Sequence, residues 1–161
     1  MAIPVTFVAG DILEAQQLND NFDAVYAGYT SFTPTIGGWT QGNATFVSQY
    51  AVNGESVHYF GYFLFGSTSA VTATALTVSL PFAANVAPNS LGLATFSDDS
   101  ASSTVAGYVQ TVTTTVMNFY WLDPEAAPIA VRLEPWRTGV TLPFTFTTGD
   151  YVYWDLTYRK A

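Results

Sequence analysis

The chain has 161 residues and a mass of 17.4 kDa, one domain's worth, and can bury about 70% of its unfolded surface without a metal or disulfide to help. Charged residues make up 10% of it, 12 acids against 4 bases for a net charge of -8, while 49% is hydrophobic and 16% aromatic. Disorder, a collagenous repeat and a disulfide scaffold are excluded, the last because there is no cysteine.

The four bases, Arg132, Arg137, Arg159 and Lys160, all fall late in the chain, so the rest has no cations with which to displace counterions from phosphate. Neither nucleic acid nor an anionic membrane is an expected partner. Met1 to Gly10 lacks the basic start of a secretory signal, and no apolar run approaches the ~18 to 20 residues that span a bilayer.

Residues 1–10 form an uncharged arm, with Ile3, Val5, Phe7 and Val8 as its apolar side chains. Pro4 argues against a central strand there. An exposed apolar arm needs cover, from a neighbouring subunit or from the surface where it docks. A helix is predicted over 11–28. Asp11 and Glu14 form a D-x-x-E capping pair at its start and suit the positive end of the helix dipole. Ala15, Leu18, Phe22, Val25 and Tyr29 follow at spacings of 3, 4, 3 and 4, a seam of two heptads along about 27 Å of helix. Two heptads do not hold together alone in water. The stripe suits packing on the chain's own β-domain or against copies from other chains. The second is preferred, because everything after residue 40 reads as an all-β unit with its own inward-facing residues.

A linker over 29–42 carries Pro34 and Gly37-Gly38. The remainder, 43–161, is a succession of alternating runs. The first ends at Asn53-Gly54, a dipeptide suited to a type I′ hairpin turn. Strands are then expected over 57–65, 71–80, 91–96, 104–109, 112–121, 129–133, 140–146 and 151–158, with a turn at Thr148-Gly149-Asp150 before the last. The predicted fold class is mainly β: a β-sandwich or jelly-roll domain preceded by a short N-terminal arm and helix. The runs 57–65 and 151–158 carry large aromatics at both parities, so both faces of those strands need cover. Side-by-side subunits would supply it.

Chemistry-bearing residues are sparse. His58 is the only histidine and reads as a packed or edge residue; no G-x-S-x-G elbow accompanies it. With no cysteine and one histidine, neither a zinc nor an iron site is expected, and there is no phosphate-cradling glycine motif. Asp98-Asp99-Ser100 reads as a solvated loop and Asp123-Pro124-Glu125 as a turn. Asn43-Ala44-Thr45 matches a glycosylation acceptor, which means nothing without secretion. No catalytic residue and no cofactor are assigned. Of the four tryptophans, Trp39, Trp121, Trp136 and Trp154, Trp136 sits in a loop-like context and is the candidate to contact a host glycan.

The run Ala9-Gly10-Asp11-Ile12-Leu13-Glu14-Ala15-Gln16-Gln17-Leu18-Asn19-Asp20-Asn21-Phe22 resembles the "AGD-x-L-x-A-x-x-LN-x-NF" opening of many tailed-bacteriophage virion proteins. Trp39-Thr40-Gln41-Gly42-Asn43, Gly54-Glu55-Ser56-Val57, Phe65-Gly66-Ser67-Thr68, Ser79-Leu80-Pro81 and Gly149-Asp150 with Tyr158-Arg159 are similar to landmarks of phage tail and head appendage domains. The resemblance covers most of the chain in short pieces. It implies a non-enzymatic homotrimer on the virion surface, assembled in the host bacterial cytoplasm. Without a long shaft, a capsid decoration (cement) protein or short head fibre binding the major capsid protein or other virion proteins is expected before a tail fibre that recognises host glycans.

Overall fold

The computed structural model describes residues 28–71, 76–87, 91–123, 132–135 and 144–161. The expected arm 1–10 with Ile3, Val5, Phe7 and Val8 lies outside them, as do Ala15, Leu18, Phe22 and Val25 of the expected helix, and Trp136. The described chain is mainly β. In order, the strands are β1 (Thr30–Ser31), β2 (Ile36–Gly37), β3 (Trp39–Thr40), β4 (Thr45–Asn53), β5 (Ser56–Leu64), β6 (Ala70–Val71), β7 (Thr77–Ser79), β8 (Leu91–Asp98), β9 (Ser103–Thr111), β10 (Val116–Asp123), β11 (Arg132–Pro135) and β12 (Tyr151–Arg159). One sheet runs β1-β4-β5-β12-β8-β9-β10-β7-β2, with β11 beside β10, and β3 pairs with β6 separately. Every pairing is antiparallel.

The sheet curls until it meets itself. Phe63 on β5 and Phe119 on β10 are four strand steps apart, about 19 Å in a flat sheet. Their ring centroids are 6.3 Å apart. Only strong curvature brings them together, and the right-handed twist of strands supplies its sense. The two edges are spanned by one short segment. β1 pairs with β4 at one edge and β2 with β7 at the other, and the four residues between them include a buried Pro34. Side chains lock both crossings. Ser48 Oγ donates to the Phe32 carbonyl at 2.6 Å, and Ser79 Oγ accepts from the Thr35 N–H at 2.9 Å. Of the expected linker 29–42, residues 30–37 are therefore part of the sheet and not a tether, paired with both its edges, and 39–40 pair separately with β6.

β5 and β12 show the same alternation. Val57, Tyr59, Gly61 and Phe63 face inward on β5, and Val152, Trp154, Leu156 and Tyr158 on β12. With Phe96, Val109, Met117, Phe119 and Trp121 they form one core. Trp154 is fully buried at its centre, with Phe46, Tyr59 and Phe119 rings 5.6, 5.9 and 5.7 Å away. Gly61 makes room for it: a Cβ there would lie 2.5 Å from Trp154 Cζ2.

Three local expectations shift. Asn53 pairs with Ser56, so the β4–β5 loop is Gly54-Glu55 and not Asn53-Gly54. Gly54 has φ 59° and Glu55 has no positive φ, the pattern of a type II′ turn, which asks only its first central residue to be left-handed. The expected strand 112–121 begins at Val116, because Val112 and Thr113 N–H both turn back onto the Val116 carbonyl. In the expected strand 140–146, residues 140–143 are outside the described set, and Phe144 and Phe146 form a loop whose rings pack on the core.

The landmark motifs interlock. Asn43 Oδ1 accepts from the Thr68 N–H and hydroxyl, both at 3.0 Å, and its Nδ2 donates to Ser67 Oγ at 3.2 Å. Gly66 lies so close beneath Asn43 that a Cβ would overlap it. Phe65 N–H donates to the Asp150 carbonyl and Gly149 N–H to the Phe65 carbonyl. The motifs carried by 39–43, 65–68 and 149–150 are thus one loop cluster at one end of the curled sheet. That cluster explains the spacing of small and amide residues in it, and leaves the Asn43 amide engaged.

Candidate functional site

The outward-facing parity of the sheet carries the molecule's unusual surface. In register across β4, β5, β12, β8 and β9 lie Val47, Tyr62, Tyr153, Thr95 and Ala106, and beside that row Gln49, Phe60, Asp155, Leu93 and Tyr108. Leu64 and Tyr151 close one side and Leu91 the other. Six of these are large hydrophobics left substantially exposed, led by Leu93 at 72% and Leu91 at 64%. Why they point outward is a matter of parity. On β8 the alternate positions are Gly92, Ala94 and Phe96, and a Cβ at Gly92 would meet the Asp155 carbonyl at 2.3 Å. At the Gly92–Ala94 end of the strand the inside has room only for small residues, so Leu91 and Leu93 face out.

A shallow groove of about 450 Å³ runs over this face, lined by Tyr62, Leu64, Thr95, Tyr151 and Tyr153. Next to it, Tyr108 and Tyr120 stack with centroids 4.7 Å apart and planes at 6°. Burial first, then the neighbouring Tyr120, raises the Tyr108 phenol above its usual value. Burial first, then the Asp155 carboxylate, does the same for Tyr153, whose hydroxyl donates to Asp155 Oδ2 at 3.4 Å.

One polar chain crosses the face. His58 Nε2 meets Asp155 Oδ1 at 2.8 Å, and His58 Nδ1 meets the Tyr29 hydroxyl at 2.8 Å. The Tyr29 ring stands edge-on to Phe60 at 5.0 Å. Tyr29 closes the predicted helical stripe, yet it is not helical here and its side chain lies on the sheet. The three residues have the order of a nucleophile–base–acid relay. However, β5 and β12 are each paired on both sides, so their N–H groups serve ladders and are not aimed at a reacting oxygen. The arrangement holds Tyr29 against the sheet and compensates both ring nitrogens and the carboxylate within one chain.

His58 is thus half-buried and hydrogen-bonded on the outer face. Trp39, Trp121 and Trp154 are core residues, which removes them as sugar contacts. Asp98 accepts from Ser100 Oγ and the Ala101 N–H, which hold its carboxyl below the usual range, the Ser100 bond contributing most. Asp150 is fully buried and accepts from Asp99 N–H and from Thr147, a structural role. Among the described residues no three His, Cys, Asp or Glu side chains group as metal ligands.

Compared with family models, with curated proteins and with solved structures, the chain has no match. Of the outer face, the sequence pattern singles out Tyr29 alone, and as part of a helical seam. The face's signal was present in the double-parity aromatics of 57–65 and 151–158, but which parity faces inward depends on Gly61 and Gly92, whose neighbours come from other strands.

Proposed function

We propose that this chain is a non-enzymatic structural protein of a tailed-bacteriophage virion, a trimeric capsid decoration (cement) protein or short head fibre that binds and stabilises the capsid surface. The knob is a β-sandwich or jelly roll, a reading supported by the segment 30–37, which changes edges of the curled sheet as a strand shared between two halves would. The single observation that carries the reading is the outer face, broad, apolar and almost free of charge. Thr, Ser and Tyr cost far less to desolvate at a contact than Lys or Glu, so a surface of this composition suits permanent assembly. Three copies attaching together add weak contacts through effective concentration. The phage-like landmarks quoted above supply the setting, and the virion surface is the location they imply.

Imaging of purified virions bearing a label at the chain's C-terminus tests this. The expected result is regular label on the head lattice; virions without label would refute it. The tyrosine-lined groove favours one second reading, a tail tip that recognises host glycans through aromatic stacking. Label at the tail, with glycan-array binding lost in Tyr151→Ala or Trp136→Ala, would select it.

A further inference from the structure

We infer that the occupant of the outer sheet face is a second copy of this chain, with Leu91 and Leu93 of one copy seated in the Tyr62–Leu64–Tyr151–Tyr153 groove of the next. The inference rests on the assembled-subunit reading and names the surface that does the assembling. Four observations on the face carry it.

The first is charge. The chain carries a net charge of -8, so two copies repel unless they meet through neutral ground. Between His58 and Leu64 and the strands beside them, the ionisable groups on this face are His58 and Asp155, joined to each other at 2.8 Å, and tyrosines; Arg159 of the same parity lies beyond, paired with Glu55. A copy-to-copy contact here covers a single carboxylate, Asp155, which already accepts from His58 and from the Tyr153 hydroxyl.

The second is extent. Measured along the curved surface, five strand steps from β4 to β10 cover about 24 Å and the stretch from His58 to Leu64 about 20 Å, on the order of 500 Å² that wraps around the sheet. A wrapped surface of that extent can be shared between a copy on either side, and it is the same order as one partner's share of a stable interface.

The third is shape. The face carries a knob and a groove side by side. Leu91 and Leu93 stand out from β8, while the groove lies over β5 and β12. A knob and a groove beside each other make the surface self-complementary: two copies can exchange knobs about a two-fold axis, or successive copies can meet head-to-tail and close into a ring when the rotation permits. The fourth is chemistry. The two most exposed of the large hydrophobic side chains described are leucines, which offer a sugar hydroxyl nothing and offer an apolar groove a great deal.

Two variants of the full chain test the inference. Leu91→Asp with Leu93→Asp places charges on exposed positions that the fold does not need. Sedimentation should show dissociation toward monomer, with self-association weakened roughly 100-fold or more. The second variant pairs Leu93→Cys with Tyr151→Cys. Within one copy these positions are four residues out of register on neighbouring strands, about 13 Å apart, and beyond disulfide reach. The chain has no other cysteine, so an oxidised covalent ladder can only join copies. Ladders that stop at the native oligomer size are the expected result. A monomeric wild type at 100 µM, an absent ladder, or a mass unchanged by the double Asp variant overturns the inference. So does a mass lowered by Phe22→Asp and untouched by the Asp pair, which would assign the contact to the helical seam. Cross-linked copies with no label on virions would instead sink the proposed function and leave the inference standing.

Discussion

Gly61→Ala probes the tightest point of the core. Gly61 lies between Ser48 of β4 and Trp154 of β12 in the ladder, facing inward. A methyl there would sit 2.5 Å from Trp154 Cζ2, 2.6 Å from the Val47 carbonyl and 2.8 Å from Ser48 Cβ. Carbon contacts are at rest near 3.5–4.0 Å, so the methyl is about 1 Å too close on three sides. Two of the three neighbours are fixed, the carbonyl by its ladder and the indole by the Phe46, Tyr59, Phe63 and Phe119 rings around it. Overpacking of this kind costs about 1–3 kcal/mol, and the absence of an escape route places this site near the top of that range. The smaller backbone entropy of Ala returns a fraction of it. For a chain of this size about 2–3 kcal/mol lowers Tm by roughly 4–12 °C, read at fixed protein concentration because assembly itself shifts Tm. Trp154→Phe removes the ring that the methyl strikes. The double variant should therefore lose less than the sum of the singles by about 1 kcal/mol or more. A Gly61→Ala protein as stable as the parent, or strictly additive singles, would show that the indole does not occupy this position.

Asp150→Ala strips the acceptor from Asp99 N–H and from Thr147 at the end where the loop cluster closes, and its site is fully buried. A cost of about 3 kcal/mol is expected in chemical denaturation, with Asp150→Asn recovering part of it; a loss under about 0.5 kcal/mol would refute the role. Burial holds the Tyr158 phenol up to about 12 and raises Tyr59 as well. Free tyrosine ionises near 10, so above that pH the folded chain keeps protons the unfolded chain releases. Stability is then whole below pH 10 and falls as pH climbs toward 12. Melting curves across pH 8–12, followed with tyrosinate absorbance, check this; a Tm flat through pH 11.5 would contradict it.

Much of the β architecture is legible because alternation and turn residues are local. β4, β5, β8, β9 and β12 lie where the runs place them, within a few residues. What local pattern does not carry is strand order. The last strand, β12, inserts between β5 and β8, so the C-terminal run becomes the centre of the sheet. Nothing in 151–159 alone states that; its partners are 54 residues away at the nearest, Tyr151 to Ser97, and 103 at the farthest, Arg159 to Ser56. The same long reach brings Asp155 to His58 and hides the outer face. The landmarks show the opposite case. Read one at a time they are short and degenerate, yet 39–43, 65–68 and 149–150 meet in space. Gly54-Glu55 likewise meets Arg159, whose guanidinium pairs with Glu55. Residues that close a loop against a distant loop are constrained together, and their spacing carries topology that hydrophobic alternation lacks.

The placement of charge argues for the same organisation from a different direction. Among the residues whose side chains are described, Asp98 ends β8 and Asp99 opens the β8–β9 turn, and Asp150, just before β12, accepts from the Asp99 N–H. Glu55, Arg159 and Lys160 lie at the other end of β12, nine residues and about 30 Å away. Lys160 stands over the Phe82 ring at 5.4 Å, so even this ammonium is held at the end. Between the ends, the described sides of the curled sheet carry the hydrogen-bonded His58–Asp155 pair and otherwise aromatic, aliphatic, amide and hydroxyl groups. A monomer selected only for solubility would distribute its few charges over the widest surface, where they best oppose association. Among the charged residues whose side chains are described here, all but His58 and Asp155 lie at the ends, and the sides there are left to meet other sides. That division is what a subunit requires if its neighbours stand beside it and its ends face solvent or a supporting lattice.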